Sequence, residues 1–319
     1  MRNILKRFRP AADVVLVLFA IPAALVMKLI RRVGVEQLPL CKQVLLRVGV
    51  FPIRSHYYEP QFDMRGERSF GTNDRHLPGL DLNIGRQLAV LDELTFGSEV
   101  ERLERPLADG QPFDFANGMF GAGDAEYWYQ TIRARRPRHI IEIGSGQSTR
   151  LAVAAIEQIR RIDPEYSCRH VCIEPYENTW LETAGVELVR SRVEEIDPSF
   201  FSILQAGDIL FIDSSHVIRP TGDVLFEYLE LLPRLKVGVI VHIHDIFTPR
   251  QYPASWVVDE VKFWNEQDLV EAFLSHNTSW EVIGALNHLY HRHRDRLLAV
   301  CPFLTDDQEP RSLYIERTR

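Results

Sequence analysis

The stretch "HIIEIGSGQSTRLA", residues 139–152, decides the fold. Apolar β-formers run up to an acid, Glu142. Two glycines one residue apart follow, then Ser148, Thr149 and apolar residues at helical spacing. That order reads as strand, tight turn and helix. Gly144 and Gly146 allow backbone to approach a ligand closely, and Ser148 or Thr149 can cap the following helix. A dinucleotide fingerprint, GxGxxG, would place a third glycine where Thr149 stands, so the pyrophosphate reading is weakened; no GKS or GKT sequence exists, so a P-loop is excluded.

Outward from this turn, short apolar runs alternate with helical patterns. Strand patterns are "RHIIEIG", "RHVCIEP", "VELVRS", "DILFIDSSHV" and "VGVIVHIHDI". Helical ones are "GDAEYWYQTIRAR", "STRLAVAAIEQIRRI" with Leu151, Ala155, Ile159 and Ile162 on one face, "DVLFEYLELLPRL", and "VVDEVKFWNEQDLVEAFLSHN". Near-continuous apolar strands between helices predict a parallel sheet covered on both faces. The strands "WEVIGAL" and "SLYIERT" close the chain. The fold class is α/β: a doubly wound, mostly parallel, Rossmann-like sheet with an antiparallel edge. Residues 34–110 read as short helices and loops, dense in Pro, Gly and Asp. The expected organisation is an N-terminal segment 1–33, a helical and loop cap 34–116, and the α/β domain 117–319.

Apolar residues make up 45% of the 319 and charged residues 25%, which is ordinary for a globular chain with a substantial core. The net charge of −7 gives no electrostatic reason to expect nucleic acid as a partner. Cys41, Cys168, Cys172 and Cys301 lack metal-type spacing and read as reduced thiols. At the N-terminus an apolar run from Val14 to Met27 lies between Arg2, Lys6, Arg7 and Arg9 on one side and Lys28, Arg31 and Arg32 on the other. Pro22 interrupts it. Three readings stand: a marginal span, an in-plane anchor, and a helix packed on protein, with membrane association ahead and in-plane attachment ahead of a span. The expected location is cytoplasmic, attached to the inner face of the cell membrane.

Glu174, ending the next strand in "VCIEPY", is placed to accept hydrogen bonds from both hydroxyls of a ribose. With it, "EIGSGQSTRLA" resembles motif I of the class I S-adenosylmethionine-dependent methyltransferases, and "CIEPY" resembles their acidic second motif. The likeness extends to a bacterial subgroup through "HYYEPQFD", "LPGLDLN", "FANGMFGAGDA", "GDILFIDSSHV", "VHIHDIFTPRQYPASW" and "WNEQDLVEAFL", covering roughly residues 50–319. The resemblance implies S-adenosyl-L-methionine as cofactor, with Glu142, Gly144, Ser145, Gly146, Glu174 and Asp213 around it. Gly144, Ser145 and Gly146 would wrap its amino-acid part, and Glu174 would hold its ribose. By the same likeness the segment Arg192–Glu194 lies near the adenine, and Asn117 and Asp124 close over the cofactor.

Methyl transfer from a sulfonium is an in-line displacement, so alignment is most of the task. A hydroxyl acceptor also has to lose its proton, to a general base or with help from a metal. Asp213 and His216 in "FIDSSHV", and His244 and Asp245 in "VHIHDIF", are the catalytic candidates. His216 is the better base, lying in a polar turn past its strand. His242 reads as a core histidine. His244, Asp245 and Asp213 are compatible with a divalent metal, but the ligand pattern is incomplete and metal is not the favoured reading. Trp128, Trp256, Trp264 and the tyrosines of "YWYQ" read as core ahead of an acceptor site, and "HRHRD" as a solvated basic loop. The leading function is an O-directed methyltransferase with a small-molecule or glycan-type acceptor. The alternative is a non-catalytic scaffold of the same fold recruited to a membrane, and a nicotinamide oxidoreductase ranks third.

Overall fold

The structure, a computed structural model, describes residues 2–56, 58–61, 70–104, 107, 110–176 and 178–319, with backbone alone for 2–8 and 104. The basic side chains Arg2, Lys6 and Arg7 therefore lie outside the described residues, as does part of "HYYEPQFD". The chain divides into two compact units, Met1–Glu67 and Arg68–Arg319.

In the first unit, helix α1 (Arg2–Val33) runs through Pro10 and Pro22, and α2 (Pro39–Val48) ends at Gly49, whose φ of 79° gives a left-handed cap. The segment Arg9–Val33 is long and apolar enough to cross a bilayer, and none of its most apolar stretch is buried. Arg31 makes a two-pronged ion pair with Glu59 at 2.7 and 2.8 Å.

The second unit holds a seven-stranded sheet: β1 (His139–Ile143), β2 (Arg169–Ile173), β3 (Glu187–Val189), β4 (Ile209–Ile212), β5 (Ile240–Ile243), β6 (Trp280–Ala285) and β7 (Leu313–Arg317). Their spatial order is β3-β2-β1-β4-β5-β7-β6. The first five are parallel, and β7 runs antiparallel to both β5 and β6, so the terminal pair forms the antiparallel edge. Every residue of β4 and β5 is buried, as expected of strands covered on both faces.

Two buried clusters cover the faces. One gathers Trp128, Ile132, Leu151 and Ile159 against Ile140 and Phe211; the other gathers Leu231, Leu232, Val270 and Val282 against Ile141 and Ile212. Short helices α3 (Ile84–Glu93) and α4 (Gly97–Val100) precede the sheet. α5 (Asp124–Arg135) and α6 (Gln147–Ile162) flank β1 in the chain. After β4 come α7 (Asp223–Phe226), continued as a wider turn through Leu231, and then α8 (Glu266–Leu274); α9 (Leu286–Arg292) and α10 (Arg294–Leu298) link β6 to β7.

Two expectations need correction. Ile162, assigned to the buried face of α6 with Leu151, Ala155 and Ile159, is 63% exposed. It is the last residue of α6, where the helix has already run past the sheet's cover. The helix expected from Val257 to Asn277 is α-helical only from Glu266 to Leu274. Ser255–Asp259 is a single π-type turn, and Val261 has a φ of 55°, which breaks helical continuation. The helix restarts where the amides of Asn265 and Glu266 donate to His216 O at 3.0 and 3.2 Å.

Gly144 sits at the point where strand order reverses, between β1 and β4. Its φ is +77°, and a Cβ there would lie 2.0 Å from Asp213 O. Gly144→Ala is thus expected to destabilise the second unit by about 2–4 kcal/mol. A lowered chemical-denaturation midpoint, at unchanged slope, would register it.

Candidate active site

Glu142, Gly144, Ser145, Gly146, Glu174, Asp213, His216, His244 and Asp245 lie at or just past the carboxyl ends of β1, β2, β4 and β5, the edge where ligands bind in open parallel sheets. After β1, Gly144 turns the chain and Gly146 opens α6. The Gly146 amide donates to Thr149 Oγ1 at 3.1 Å, so Thr149 caps the helix where a dinucleotide fold would carry glycine. Glu142 lies beneath this turn, fully buried. Its Oε2 accepts from Ser148 and Thr149 hydroxyls at 2.8 and 2.9 Å, and its Oε1 meets His170 Nε2. Burial works against a charged His170, but hydrogen bonds to Cys172 and Glu142 and the Glu142 charge raise its pKa to about 10. Glu142 therefore locks the turn from below, in a buried ion pair. Trp128, in the core, donates from Nε1 to Ser148 O at 3.1 Å and braces the same turn.

The upper side of the turn is held by Asn178, whose Nδ2 donates to Ser145 O at 2.7 Å. Ser145 Oγ is buried and has no hydrogen-bond partner among the described residues. Glu174, past β2, accepts the Tyr176 amide at Oε1, 3.0 Å away. Arg192 and Glu194 lie in the short turn beyond β3. Asn117 caps its own loop, accepting from the amides of Met119 and Phe120 at 2.8 Å each.

The second half of the site is a cluster of acids and imidazoles. Asp213 Oδ1 lies 3.3 Å from His216 Nε2 and 3.4 Å from His244 Nδ1. His216 Nε2 is also 3.5 Å from Asp245 Oδ2. Its other nitrogen, Nδ1, meets Glu266 Oε2 at 2.8 Å, while Tyr228 donates to Glu266 Oε1 at 2.7 Å. His244 Nε2 faces Asp124 Oδ2 at 3.6 Å, and Arg311 Nε faces Asp245 Oδ1 at 2.8 Å. Trp264 packs on His216 with ring centroids 4.3 Å apart. His216 and Asp245 both adopt left-handed backbone, with φ of 59° and 60°, a conformation that concentrates at functional sites.

Burial disfavours the charged form of His216, yet hydrogen bonds to Asp213 and Glu266 and their charges raise its pKa well above 6.5. His244, also buried, is raised to about 10 by the charges of Asp245 and Asp213 and by Asp124. For Asp213, burial acts to raise the pKa, and the two imidazoles, His244 first, outweigh it and hold the carboxyl far below the usual range. His242 has a different role. It is fully buried, stacks on Tyr314 at 4.1 Å, bonds Ser312 Oγ at 2.7 Å, and burial lowers its pKa, so it is a neutral core residue.

Asp213, His216 and Asp245 offer ligand atoms that all lie within 4.8 Å of one another, a spacing suited to a cation. The same carboxylates already face His244 and Arg311, which supply positive charge to them. Sequence reasoning missed Glu266 and Arg311, which lie on elements far along the chain. It also ranked Trp256 and Trp264 as core, whereas they pack edge to face, 5.0 Å apart, beside His216. Glu266 had one signal available: an acid opening a helix directly after the aromatic-polar pair Trp264–Asn265.

The turn makes a specific demand on Thr149. Thr149→Val keeps the side-chain shape but leaves buried Glu142 short of a donor and the Gly146 amide short of an acceptor, so it is expected to cost about 1–3 kcal/mol. Thermal and urea unfolding of the two forms give the comparison.

Residues 141–246, from within β1 to just past Asp245, match the family model described as a methyltransferase domain. An Archaeoglobus fulgidus protein described as uncharacterized is 29% identical over 175 residues, covering 50% of this chain and 76% of that protein. Among solved structures, an O-methyltransferase from Bacillus cereus in complex with SAH is 12% identical, covers 72% of this chain and 91% of its own, and has a TM-score of 0.36. The MycE methyltransferase from the mycinamycin biosynthetic pathway, in complex with Mg and SAH, is 16% identical, covers 61% and 50%, and has a TM-score of 0.33. The likeness of this chain to a methyltransferase domain is carried by residues 141–246.

Proposed function

We propose that this protein transfers a methyl group from S-adenosylmethionine to a hydroxyl of a small or glycan-type acceptor. The observation that carries the reading is His216, held at Nδ1 by Glu266 and directed at Nε2 toward Asp213 and Asp245 at the sheet's ligand edge. The cofactor supplies an electrophilic methyl group on a sulfonium sulfur. The residues fit it: Ser145 Oγ, on the turn between Gly144 and Gly146, is buried with no hydrogen-bond partner among the described residues, and Glu174 lies just past the next strand. In this reading Gly144, Ser145 and Gly146 follow the amino-acid part and Glu174 accepts from the ribose hydroxyls.

With Glu266 ionised, Nδ1 of a neutral His216 carries the proton and Nε2 is left as the proton acceptor. His216 Nε2 would take the proton of the acceptor hydroxyl, whose oxygen would gain the methyl group as the methyl–sulfur bond breaks and S-adenosylhomocysteine leaves with the electron pair. Asp213, pinned by His244, keeps a fixed negative charge against the imidazolium that results. Because His244 and Arg311 already compensate the carboxylates, the proton step has no requirement for a divalent ion. Treatment with EDTA is accordingly expected to leave turnover unchanged, and a strict Mg²⁺ requirement would contradict that part of the reading.

Attachment to a membrane belongs to the same proposal. Val14, Val15, Leu16, Val17, Leu18 and Phe19 are consecutive and all at least 45% exposed, so α1 has no polar side over this run. An apolar surface on every side favours insertion into lipid over lying in the interface plane.

Calorimetry on the full chain in detergent tests the cofactor half. Micromolar binding of S-adenosylhomocysteine is expected, weakened at least about tenfold by Glu174→Ala through loss of charge-assisted hydrogen bonds. Absent binding by folded protein would sink the reading. The catalytic half predicts a pH profile. As His216 must be neutral to accept a proton, kcat/KM falls as pH drops through its raised pKa; Glu266→Gln removes one cause of the rise, so the falling limb moves to lower pH. His216→Ala is expected to slow turnover by about 10²–10⁴-fold while S-adenosylhomocysteine affinity is kept.

A further inference from the structure

Beside the acid–imidazole cluster lies a cavity of about 610 Å³ whose wall includes Phe247, Arg250, Trp256 and Arg311, with Asp307 and Glu309 at its rim. Two wall residues reach the cluster. Arg311 Nε contacts Asp245 Oδ1 at 2.8 Å, and Trp256 touches Trp264, which packs on His216. The segment from Ser255 to Glu266 thus forms the cavity wall at one end and holds the imidazole at the other.

The chemistry of the wall narrows what fits. Its two guanidinium groups are already spoken for. Arg250 pairs with Asp74 at 2.9 Å, and Arg311 pairs with Asp245 and donates to the carbonyls of Gly118 and Met119 at 2.9 and 2.6 Å. Among the described lining residues, Asp307 and Glu309 balance the two guanidinium groups, leaving no net charge there to favour a phosphate or an ammonium group. Asp307 is exposed and Glu309 is 45% exposed, so both can accept hydrogen bonds from hydroxyls at the mouth. Phe247 and Trp256 supply apolar surface, and Lys262 Nζ, 3.9 Å from the Trp256 ring, occupies part of that indole. A flat phenolic acceptor would call for a dry slot between aromatic faces. Hydroxyl-accepting carboxylates beside broken apolar surface suit a non-planar ring that carries several hydroxyls and C–H faces.

We infer that the cavity walled by Trp256 and Arg311 is the acceptor site and that it takes a neutral pyranose unit, one hydroxyl of which reaches His216. This rests on the methyltransferase reading above.

The test is saturation-transfer-difference NMR on the full chain, with S-adenosylhomocysteine present, in a detergent without a sugar headgroup. The probes are a panel of methyl hexopyranosides, catechol, and inorganic phosphate as competitor. Transfer to the ring protons of at least one glycoside is expected, insensitive to phosphate. It should fall at least about fivefold in Ser255→Trp, which fills the cavity, and also in the rim variant Asp307→Asn/Glu309→Gln, whose two side chains are exposed. S-adenosylhomocysteine affinity, measured alongside, should hold within about twofold in both. Transfer to catechol and to no glycoside would overturn the sugar assignment while leaving the methyltransferase reading intact. Glycoside transfer unchanged in both variants would overturn the location. Loss of S-adenosylhomocysteine binding in the parent protein would remove the reading on which the inference stands.

Discussion

The site depends on one carboxylate shared by two imidazoles. Asp213, at the end of β4, faces His216 from its own turn and His244 from the end of β5. Each imidazole has a further acid behind it, Glu266 for His216 and Asp124 for His244. For the two buried imidazoles, burial alone would favour the neutral form, and the acids around them act the other way. Asp213 and its partner acids raise the pKa values of both imidazoles, and the imidazoles in turn hold Asp213 low. The backbone of Asp213 is held as firmly as its side chain: its amide donates to Ile143 O at 2.8 Å, and its carbonyl excludes any side chain at Gly144.

That arrangement joins the two halves of the site. The turn after β1 is braced from below by Glu142, His170 and Trp128, and from above by Asn178. Because Gly144 abuts Asp213, the glycine turn lies directly beside the cluster of Asp213, His216 and His244. The left-handed backbone at His216 and Asp245 aims both side chains into the same space. Distance from the chemistry is no guide to importance here. Glu266 lies 50 residues from His216 in sequence, yet its carboxylate meets the imidazole at 2.8 Å.

Much of this was legible before any coordinates. The apolar runs located all seven strands, since buried parallel strands need side chains that suit both faces. The glycine pair, Glu174, Asp213, His216, His244 and Asp245 were legible because strand ends at one edge of such a sheet converge whatever their spacing. Glu266 and Arg311 were not, since their roles arise from packing of α8 and of the segment before β7 onto that edge. Periodicity carried the helix around Val257–Asn277 too far because it weighs apolar spacing and is blind to the left-handed Val261 and to the pull of His216 O on the helix start. Ile162 shows the same limit: a helical face continues in the pattern after the sheet beneath it has ended.

The measurement closest to the central claim is a histidine-selective NMR titration of the full chain, with His216 assigned by comparison with His216→Ala. The expected result is a His216 resonance titrating above its ordinary 6.5 with its Nδ1 proton retained in the neutral form, and a lower midpoint in Asp213→Asn, which withdraws one of the two charges that raise it. An ordinary midpoint, unmoved by Asp213→Asn, would contradict the claim that this shared carboxylate organises the site.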